Sequence, residues 1–358
     1  MVDMQALELL KELIATPSHS REEGATASII ERWLNDRGVE TLRRGNNILA
    51  RSKGFDESSK STLLMNSHHD TVRPAASYTR DPYSPDIEDG RLFGLGSNDA
   101  GGSVVGLVSA FVAHYPTSDE LPFNILLAIT AEEEVMGEGG IRSLYDLLGC
   151  VDFAIVGEPT GLNAAVGERG LVVLDCVAEG RSGHAARDEG DNALYRAVRD
   201  IEKLRTYRFD RCSELLGEIR LTTTMIECGT QHNVVPDKCR FVVDCRTTDA
   251  YTNQEMVDLL AEELESSVTP RSTRIGASAL DPNHPLLLAA KGLGAEPYVS
   301  PTTSDMALMP WPSLKIGVGE SARSHTADEW VGVDEVVAGV EFYTKYIDKL
   351  AEIYETME

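Results

Sequence analysis

The stretch Thr62-Leu-Leu-Met-Asn-Ser-His-His-Asp70 places two imidazoles and a carboxylate directly after a short apolar strand. Three further apolar strands run into acidic or imidazole side chains in the same way: Phe123–Thr130 before Glu132, Glu133 and Glu134, Phe153–Val156 before Glu158, and Ser313–Val318 before His325. In an open α/β sheet, the carboxyl ends of the strands line the crevice where ligands bind. We therefore expect these side chains to lie close together, although they are far apart in the sequence.

The elements around these strands alternate as they do in α/β proteins. One of the predicted helices begins at Ser20, where Glu23 three residues later completes a capping box. In the middle of the chain the pattern changes to half-buried strands separated by two helices. We predict a catalytic metal-binding α/β domain with a mixed sheet flanked by helices, formed by residues 1–168 and 281–358, and an inserted α+β domain, formed by residues 169–280.

The composition, with 42% hydrophobic and 25% charged residues, is typical of a soluble globular protein. A net charge of −25 makes nucleic acid and anionic membrane surfaces poor partners. The longest apolar runs, such as Ile125–Ile129, are too short to span a membrane. The six cysteines include no Cys-x-x-Cys pair and the first residues show no secretory pattern, so we expect a reduced, cytoplasmic protein.

The acidic and imidazole residues suggest a metal site. A single His or Glu after a strand is more often a solvated loop residue, but four such strands, together with Asp99 in the glycine-rich turn 94–102, favour a shared function. Two imidazoles with three carboxylates suit zinc, with manganese or cobalt as substitutes. Five ligands are too many for one zinc ion, so we expect two zinc ions bridged by a carboxylate, for which Asp99 is the best candidate.

The alternation of a strand separates the roles of the residues around His68. Side chains at i and i+2 face the same side, so His68 and Asp70 point together while His69 points away. A carboxylate beside a metal-bound His commonly accepts the proton of its other ring nitrogen. We predict that His68 is a ligand, that Asp70 orients it, and that His69 is structural.

The order of these motifs resembles the acetylornithine deacetylase and succinyl-diaminopimelate desuccinylase family of two-zinc hydrolases. The matching features are His-x-Asp, an Asp in a glycine-rich turn, paired glutamates, Gly-Glu-Pro-Thr and a late His. The resemblance implies a zinc-peptidase-like domain with an inserted ferredoxin-like domain that acts as lid and dimerisation domain. It also implies that one zinc is held by His68, Asp99 and Glu158, and the other by Asp99, Glu134 and His325.

The same resemblance assigns the remaining site residues. Glu133 is expected to be the general base, with the last two glutamates of the run 132–134 aligned to the family's pair. His184 resembles the inserted-domain His that reaches the neighbouring subunit's active site and polarises the scissile carbonyl, and the alternative is an ordinary loop histidine. The expected substrate contacts are Asn233, Arg246, Thr303 and Ser304. A structural salt bridge is the alternative for Arg246.

The activity implied is removal of an acyl group from a small N-acylated amino acid by a homodimer. The resemblance is strongest to acetylornithine deacetylase, an enzyme of arginine biosynthesis. The alternatives with the same chemistry are desuccinylation of N-succinylornithine or N-succinyl-diaminopimelate and deacetylation of N-acetylcitrulline or N-acetyl-lysine. A dipeptidase or an aminopeptidase is a more distant alternative, and a non-catalytic protein that binds amino-acid derivatives is the alternative from another class.

Overall fold

The computed structural model describes residues 2–357 of the chain, so Met1 and Glu358, the ends of the predicted catalytic domain, lie outside the described residues. The helices are α1 (Val2–Ile14), α2 (Gly24–Asn35), α3 (Gly102–His114), α4 (Tyr145–Leu148), α5 (Ala193–Thr206), α6 (Asn253–Glu263), α7 (Pro285–Gly292) and α8 (Val333–Met357). None of the helices in this part of the chain has both the length and the apolar character that a membrane span requires.

The strands are β1 (Thr41–Arg44), β2 (Asn47–Arg51), β3 (Thr62–His68), β4 (Ile87–Glu88), β5 (Arg91–Phe93), β6 (Asn124–Thr130), β7 (Phe153–Val156), β8 (Ala164–Glu168), β9 (Gly170–Glu179), β10 (Gly183–His184), β11 (Arg220–Cys228), β12 (Val234–Val235), β13 (Lys238–Thr247), β14 (Ser267–Pro270), β15 (Ser278–Ala279), β16 (Pro297–Ser300), β17 (Ser313–Lys315) and β18 (Trp330–Gly332). They fall into two compact units. The first unit is formed by the described chain up to Val166, by Leu280–Tyr298 and by the described chain from Ser304 onwards. The second unit is formed by Gly167–Ala279 and Val299–Thr303.

The first unit is built on a mixed sheet with the strand order β1-β2-β6-β3-β7-β17-β8. The central strands β6, β3, β7 and β17 are parallel neighbours, whereas β1, β2 and β8 are antiparallel to the strands beside them. Every residue of β3 and β6 is buried, as expected for strands covered on both faces. One apolar core joins the sheet to α1, α2, α3, α7 and α8. The predicted α/β fold with a mixed sheet flanked by helices is therefore confirmed.

The second unit is an antiparallel sheet with the order β11-β13-β9-β14 and two helices, α5 and α6. The chain order β9-α5-β11-β13-α6-β14 with this strand order is the ferredoxin-like arrangement. Alternate residues of β9 and β13, including Cys176, Cys239 and Cys245, are buried in a core with side chains of both helices. That this unit acts as a lid and dimerisation domain remains a prediction.

The start of α2 differs from the sequence prediction. The helix begins at Gly24 with Glu23 as its N-cap residue, and no capping side-chain hydrogen bond is present, so the capping box predicted from Ser20 is wrong. The two side chains have partners elsewhere: the Ser20 hydroxyl donates to Asp70, and the Glu23 carboxylate accepts from the side chain of Asn46. Tertiary contacts around the candidate site therefore take the groups that a local cap would have used.

Candidate metal centre

The strand order of the first unit brings four predicted site residues to one edge of the sheet. His68 is the last residue of β3 and pairs with Thr130 at the end of β6. Glu133 and Glu134 lie on the helical turn that follows β6, and Glu158 lies two residues after β7. Because β6, β3 and β7 are parallel neighbours, the side chains at their carboxyl ends meet.

Asp99 reaches the same edge from the turn between β5 and α3. Gly96 in this turn has φ +76°, and a Cβ atom there would lie 2.5 Å from Cγ2 of Thr71. Glycine is therefore required at this position for both its conformation and its size. Asp99 itself is not helical, with φ −116° and ψ 97°, and its peptide bond to Ala100 is cis. The turn directs the Asp99 carboxylate towards His68.

The five predicted ligands form two groups that share Asp99. Nε2 of His68 lies 3.2 Å from Oδ1 of Asp99 and 3.7 Å from Oε1 of Glu158. On the other side, Nε2 of His325 lies 3.6 Å from Oδ2 of Asp99 and 2.9 Å from Oε2 of Glu134. The structure thus brings together all five residues that the sequence singled out.

The donor atoms fit metal binding. Ligand atoms about 2.0–2.1 Å from a tetrahedral zinc ion lie about 3.3 Å from one another, close to the separations around His68. Two sets of three donor atoms, each set within 4.8 Å, satisfy the geometry for an ion: His68 with Glu133 and Glu158, and His68 with Asp99 and Glu134. These sets differ from the predicted pairing, since one includes Glu133 and neither includes His325, whose side chain is 56% exposed.

The cluster buries more negative charge than its own histidines balance. Burial raises the pKa of Glu133 well above that of an exposed glutamate, and raises the pKa of Glu158 to about 8. Burial alone would lower the pKa of His68, but the carboxylates of Glu158 and Glu133 raise it well above its usual range. The hydrogen bond with Glu134 raises the pKa of His325 to about 9. A site that holds protons on its ligands in this way is one that cations would stabilise.

Asp70 contacts more groups than its predicted role of orienting His68 requires. Its carboxylate accepts hydrogen bonds from the Ser20 hydroxyl at 2.7 Å and from the backbone N–H groups of Glu133 at 3.0 Å and Glu134 at 3.2 Å. Nδ1 of His68 lies 2.9 Å from the backbone oxygen of Asp70 and 3.5 Å from its carboxylate. Asp70 therefore orients His68 mainly through its main chain, and its side chain holds the turn that carries Glu133.

His69 points away from the cluster. Its Nδ1 lies 2.9 Å from the Thr26 hydroxyl, and its Nε2 lies 2.9 Å from the backbone oxygen of Asn46. Both ring nitrogens are thus used by α2 and by the loop before β2. These contacts fit the structural role predicted for this residue.

The second unit carries four other predicted site residues, namely His184, Asn233, Arg246 and Thr303. His184 ends the short strand β10 and pairs with Val234, next to Asn233, whose backbone oxygen accepts from Ala185. The guanidinium of Arg246 donates to the Asp244 carboxylate two residues away on the same face of β13, at 2.9 Å. The structural salt bridge considered for Arg246 is thus present, and its predicted contact with substrate remains a prediction.

The stretch containing Thr303 and Ser304 includes a residue that the sequence analysis did not assign. Ser304 is the N-cap of the helical turn Asp305–Leu308, and its hydroxyl accepts from the backbone N–H of Met306. Asp305 is buried, and its carboxylate accepts a hydrogen bond of 2.8 Å from Thr130 at the end of β6. Burial raises the pKa of Asp305 to about 6. The Thr303-Ser-Asp motif marks this stretch in the sequence, but the motif alone does not indicate that Asp305 is the member that reaches the edge of the sheet.

Comparison with known proteins places these residues in a family. A family model described as peptidase family M20/M25/M40 matches residues 64–349. A succinyl-diaminopimelate desuccinylase of Cereibacter sphaeroides is 29% identical over 367 aligned residues, covering 92% of this chain and 94% of that protein. The enzyme of the same name from Acidiphilium cryptum is 27% identical over 378 residues, covering 98% of this chain and all of its own length.

Solved structures resemble the fold over its whole length. Aminopeptidase PepT from Bacillus cereus superposes with a TM-score of 0.75 at 18% identity, covering 98% of this chain and 99% of its own. The YXEP protein of Bacillus subtilis, described as a dinuclear metal binding peptidase, gives a TM-score of 0.73 at 16% identity, with 98% of both chains covered. At these identities the likeness supports the fold alone.

Proposed function

The chain belongs to peptidase family M20/M25/M40 and hydrolyses amide bonds, and on that basis we propose that it uses two metal ions to remove the acyl group from a small N-acylated amino acid. The family resemblance found in the sequence is thereby confirmed, as is its implication of a hydrolase. The observation that carries the proposal is the meeting of His68, Asp99, Glu134 and Glu158 around the buried Glu133.

The proposed ligands are those predicted from the sequence. His68, Asp99 and Glu158 would hold one ion and Asp99, Glu134 and His325 the other, with zinc as the expected metal and cobalt or manganese as substitutes. The description of the Bacillus subtilis structure as dinuclear supports a pair of ions. When bound, such a pair lowers the pKa of a water molecule and polarises the amide carbonyl.

Glu133 is proposed as the general base. Its carboxylate lies 3.9 Å from Nε2 of His68, and burial raises its pKa, so it can take a proton from the attacking water and hold it. The same group would then deliver that proton to the nitrogen of the leaving amine as the amide bond breaks. Asp70 fixes the base in place through the backbone N–H of Glu133.

The substrate is proposed as an N-acylated amino acid, and the relatives favour one of the alternatives that the sequence left open. Both curated relatives described above are named succinyl-diaminopimelate desuccinylase, which supports an N-succinylated substrate and a role in diaminopimelate and lysine biosynthesis. N-acetylornithine, and with it arginine biosynthesis, remains the prediction from motif resemblance. Which of these two substrates the enzyme prefers depends on the contacts that its pocket makes with a succinyl or an acetyl group.

The remaining assignments are proposals that rest on the resemblance. His184 would polarise the scissile carbonyl across the interface of a homodimer formed through the inserted domain, and Asn233, Arg246, Thr303 and Ser304 would contact the substrate. A guanidinium such as that of Arg246 can bind a carboxylate with two parallel hydrogen bonds. The cytoplasmic location is likewise proposed, and the six free cysteines are consistent with a reducing compartment.

A substrate panel tests the proposal. Metal-free protein is prepared with a chelator, reloaded with zinc, cobalt or manganese, and assayed, with a set of dipeptides run in parallel, for amine release from N-succinyl-diaminopimelate, N-acetylornithine and simple N-acetyl amino acids. We expect metal-dependent hydrolysis of at least one of these, with N-succinyl-diaminopimelate preferred by kcat/KM. Equal activity before and after metal removal would overturn the metal assignment, and hydrolysis of dipeptides alone would overturn the substrate class.

A further inference from the structure

Glu329 is a buried acidic residue that binds the turn carrying Asp99. The residue is 2% exposed. Oε1 accepts from the backbone N–H groups of Asn98 and Asp99, both at 2.9 Å, and Oε2 accepts from the N–H of Gly96 at 3.1 Å. Three donors of one turn, more than 200 residues away in the sequence, thus converge on one carboxyl group.

The position of Glu329 follows from strand pairing. Glu329 immediately precedes β18, which pairs with β5 in the register Trp330 with Phe93. The backbone oxygen of Glu329 accepts from the N–H of Gly94 at 2.9 Å, which continues that pairing by one residue. The side chain of Glu329 is therefore held beneath the turn that follows β5.

The loop before Glu329 carries the other side of the candidate centre. His325 lies four residues earlier, and both His325 and Asp328 have left-handed backbone conformations, with φ of 58° and 55°. Non-glycine residues adopt this region infrequently, and contacts with other segments hold the loop here. Asp328 is held by backbone N–H groups of Thr79 and Arg80, and Glu329 by the Asp99 turn.

We propose that Glu329 is a positioning residue that sets the separation between Asp99 and His325, and so the geometry of the metal pair. The carboxyl group of Glu329 accepts a hydrogen bond from the backbone N–H of Asp99. This bond fixes the main chain of Asp99, whose carboxylate lies beside His68 and His325. The same residue anchors the end of the 325–329 loop. A single side chain thereby joins the two segments that carry these ligands. The inference rests on the proposed role of Asp99 as a shared ligand.

The test measures metal binding by folded protein. Metal-free wild type, Glu329→Gln and Asp99→Asn proteins are titrated with zinc against a competing chelator, and the visible spectrum of the cobalt-loaded proteins reports coordination geometry. Glutamine keeps the size of the side chain but presents an N–H to one of the three donors. We expect Glu329→Gln to weaken binding of at least one ion by about 10- to 100-fold, alter the cobalt spectrum, and lower kcat with little change in KM.

Asp200→Asn is the matched control. Asp200 is a buried carboxylate of the second unit that accepts from the backbone N–H groups of Glu265 at 3.1 Å and Ser266 at 2.8 Å. It performs the same local task away from the candidate centre, so its substitution is expected to lower the melting temperature and leave metal affinity unchanged.

The outcomes separate the inference from the function on which it rests. If wild-type protein binds no divalent metal, or Asp99→Asn binds it as wild type does, the proposed ligand set fails. If Asp99→Asn loses metal but Glu329→Gln binds it with wild-type affinity and spectrum, the role of Glu329 alone is overturned. Should Glu329→Gln not fold, Glu329→Asp decides by the same titration: weakened binding supports the inference and unchanged binding overturns it.

Discussion

The side chain of Asp70 accepts a hydrogen bond from the backbone N–H of Glu133, with 3.0 Å between Oδ1 and the nitrogen. Asp70 follows β3 and Glu133 follows β6, so this bond ties together the ends of two neighbouring strands. The backbone oxygen of Asp70 lies 2.9 Å from Nδ1 of His68. One residue therefore fixes both the orientation of a proposed metal ligand and the position of the proposed base.

The Glu133→Gln variant should lose turnover while keeping its metal. Glutamine has nearly the same shape but cannot accept and return a proton, and general bases contribute roughly 10²–10⁴-fold to rates. We expect kcat to fall by at least about 10²-fold, measured with the best substrate of the panel, with metal content by elemental analysis unchanged.

Glu132→Gln is the control for that variant. Glu132 belongs to the same acidic run, but its carboxylate lies 3.6 Å from the guanidinium of the exposed Arg21. Its substitution should leave kcat within about threefold of wild type. Equal losses in both variants would contradict the assignment of Glu133.

The Asp70→Asn variant should lower kcat through positioning. An amide in place of the carboxylate turns an N–H towards the donors of the 133–134 turn, so at least one of these bonds is lost. Residues that orient metal ligands typically change activity by about 10- to 100-fold. Asp152→Asn is the control, because Asp152 accepts a backbone N–H from Thr62 at 2.8 Å at the opposite end of β3. Steady-state kinetics with unchanged kcat in Asp70→Asn would count against this role.

Metal binding should release protons at pH 7. The pKa of Glu158 is raised to about 8 and that of His325 to about 9, so both groups hold a proton at pH 7 in the metal-free protein, and ligands must lose it to bind. Zinc affinity should therefore increase as the pH rises from about 6 to about 9. Calorimetric titration in buffers of different ionisation enthalpy measures the release, and heats independent of the buffer would refute it.

The raised pKa of His325 also makes the stability of the metal-free protein depend on pH. An unperturbed His has a pKa of about 6.5, and the folded pKa of His325 lies above it at about 9. The pair with Glu134 therefore stabilises the metal-free fold fully below about pH 6.5, and this contribution is lost as the pH rises through about 9. Melting curves should show that fall in wild type and a smaller one in His325→Gln.

The Gly96→Ala variant should destabilise the protein and weaken metal binding. A Cβ at φ +76° costs about 1–2 kcal/mol, and this one would also meet Thr71 at 2.5 Å. Gly90→Ala is the matched control, because Gly90 has the same φ of +76° with no atom within 4 Å of the added Cβ. Chemical denaturation should show the larger loss in Gly96→Ala, partly restored by Thr71→Ser. Equal losses at both glycines would rule out the contact with Thr71.

A shared active site predicts complementation between subunits. Protein with His184→Ala and protein with Glu133→Gln should each be inactive, because one lacks the proposed carbonyl donor and the other the proposed base. Refolded or exchanged mixtures should regain up to about a quarter of wild-type activity if His184 acts on the partner subunit. Light scattering determines the oligomeric state. An active monomer, or a mixture that stays inactive, would count against an active site shared between subunits.

The strands and their polar ends could be predicted from the sequence because each feature is local. Runs of buried apolar residues identify β3, β6 and β7, and the chemistry of His68, Glu133 and Glu158 is visible without coordinates. The fold class and the family followed from these patterns. The roles of the individual residues remain predictions until the variants are measured.

Side-chain directions in the turns that follow the strands could not be predicted from a local pattern, because they depend on partners distant in the chain. The glutamates of the run 132–134 are chemically alike, but Glu132 has a left-handed φ of 55° and turns towards Arg21, while Asp70 binds the backbone of the next two. Likewise, nothing near Glu329 in the sequence indicates the turn that it binds. The sequence by itself determined which elements form and which chemical groups they carry, since apolar periodicity and side-chain type are local properties. Only the tertiary structure decided which groups meet, because strand order and buried hydrogen bonds between distant segments set their positions.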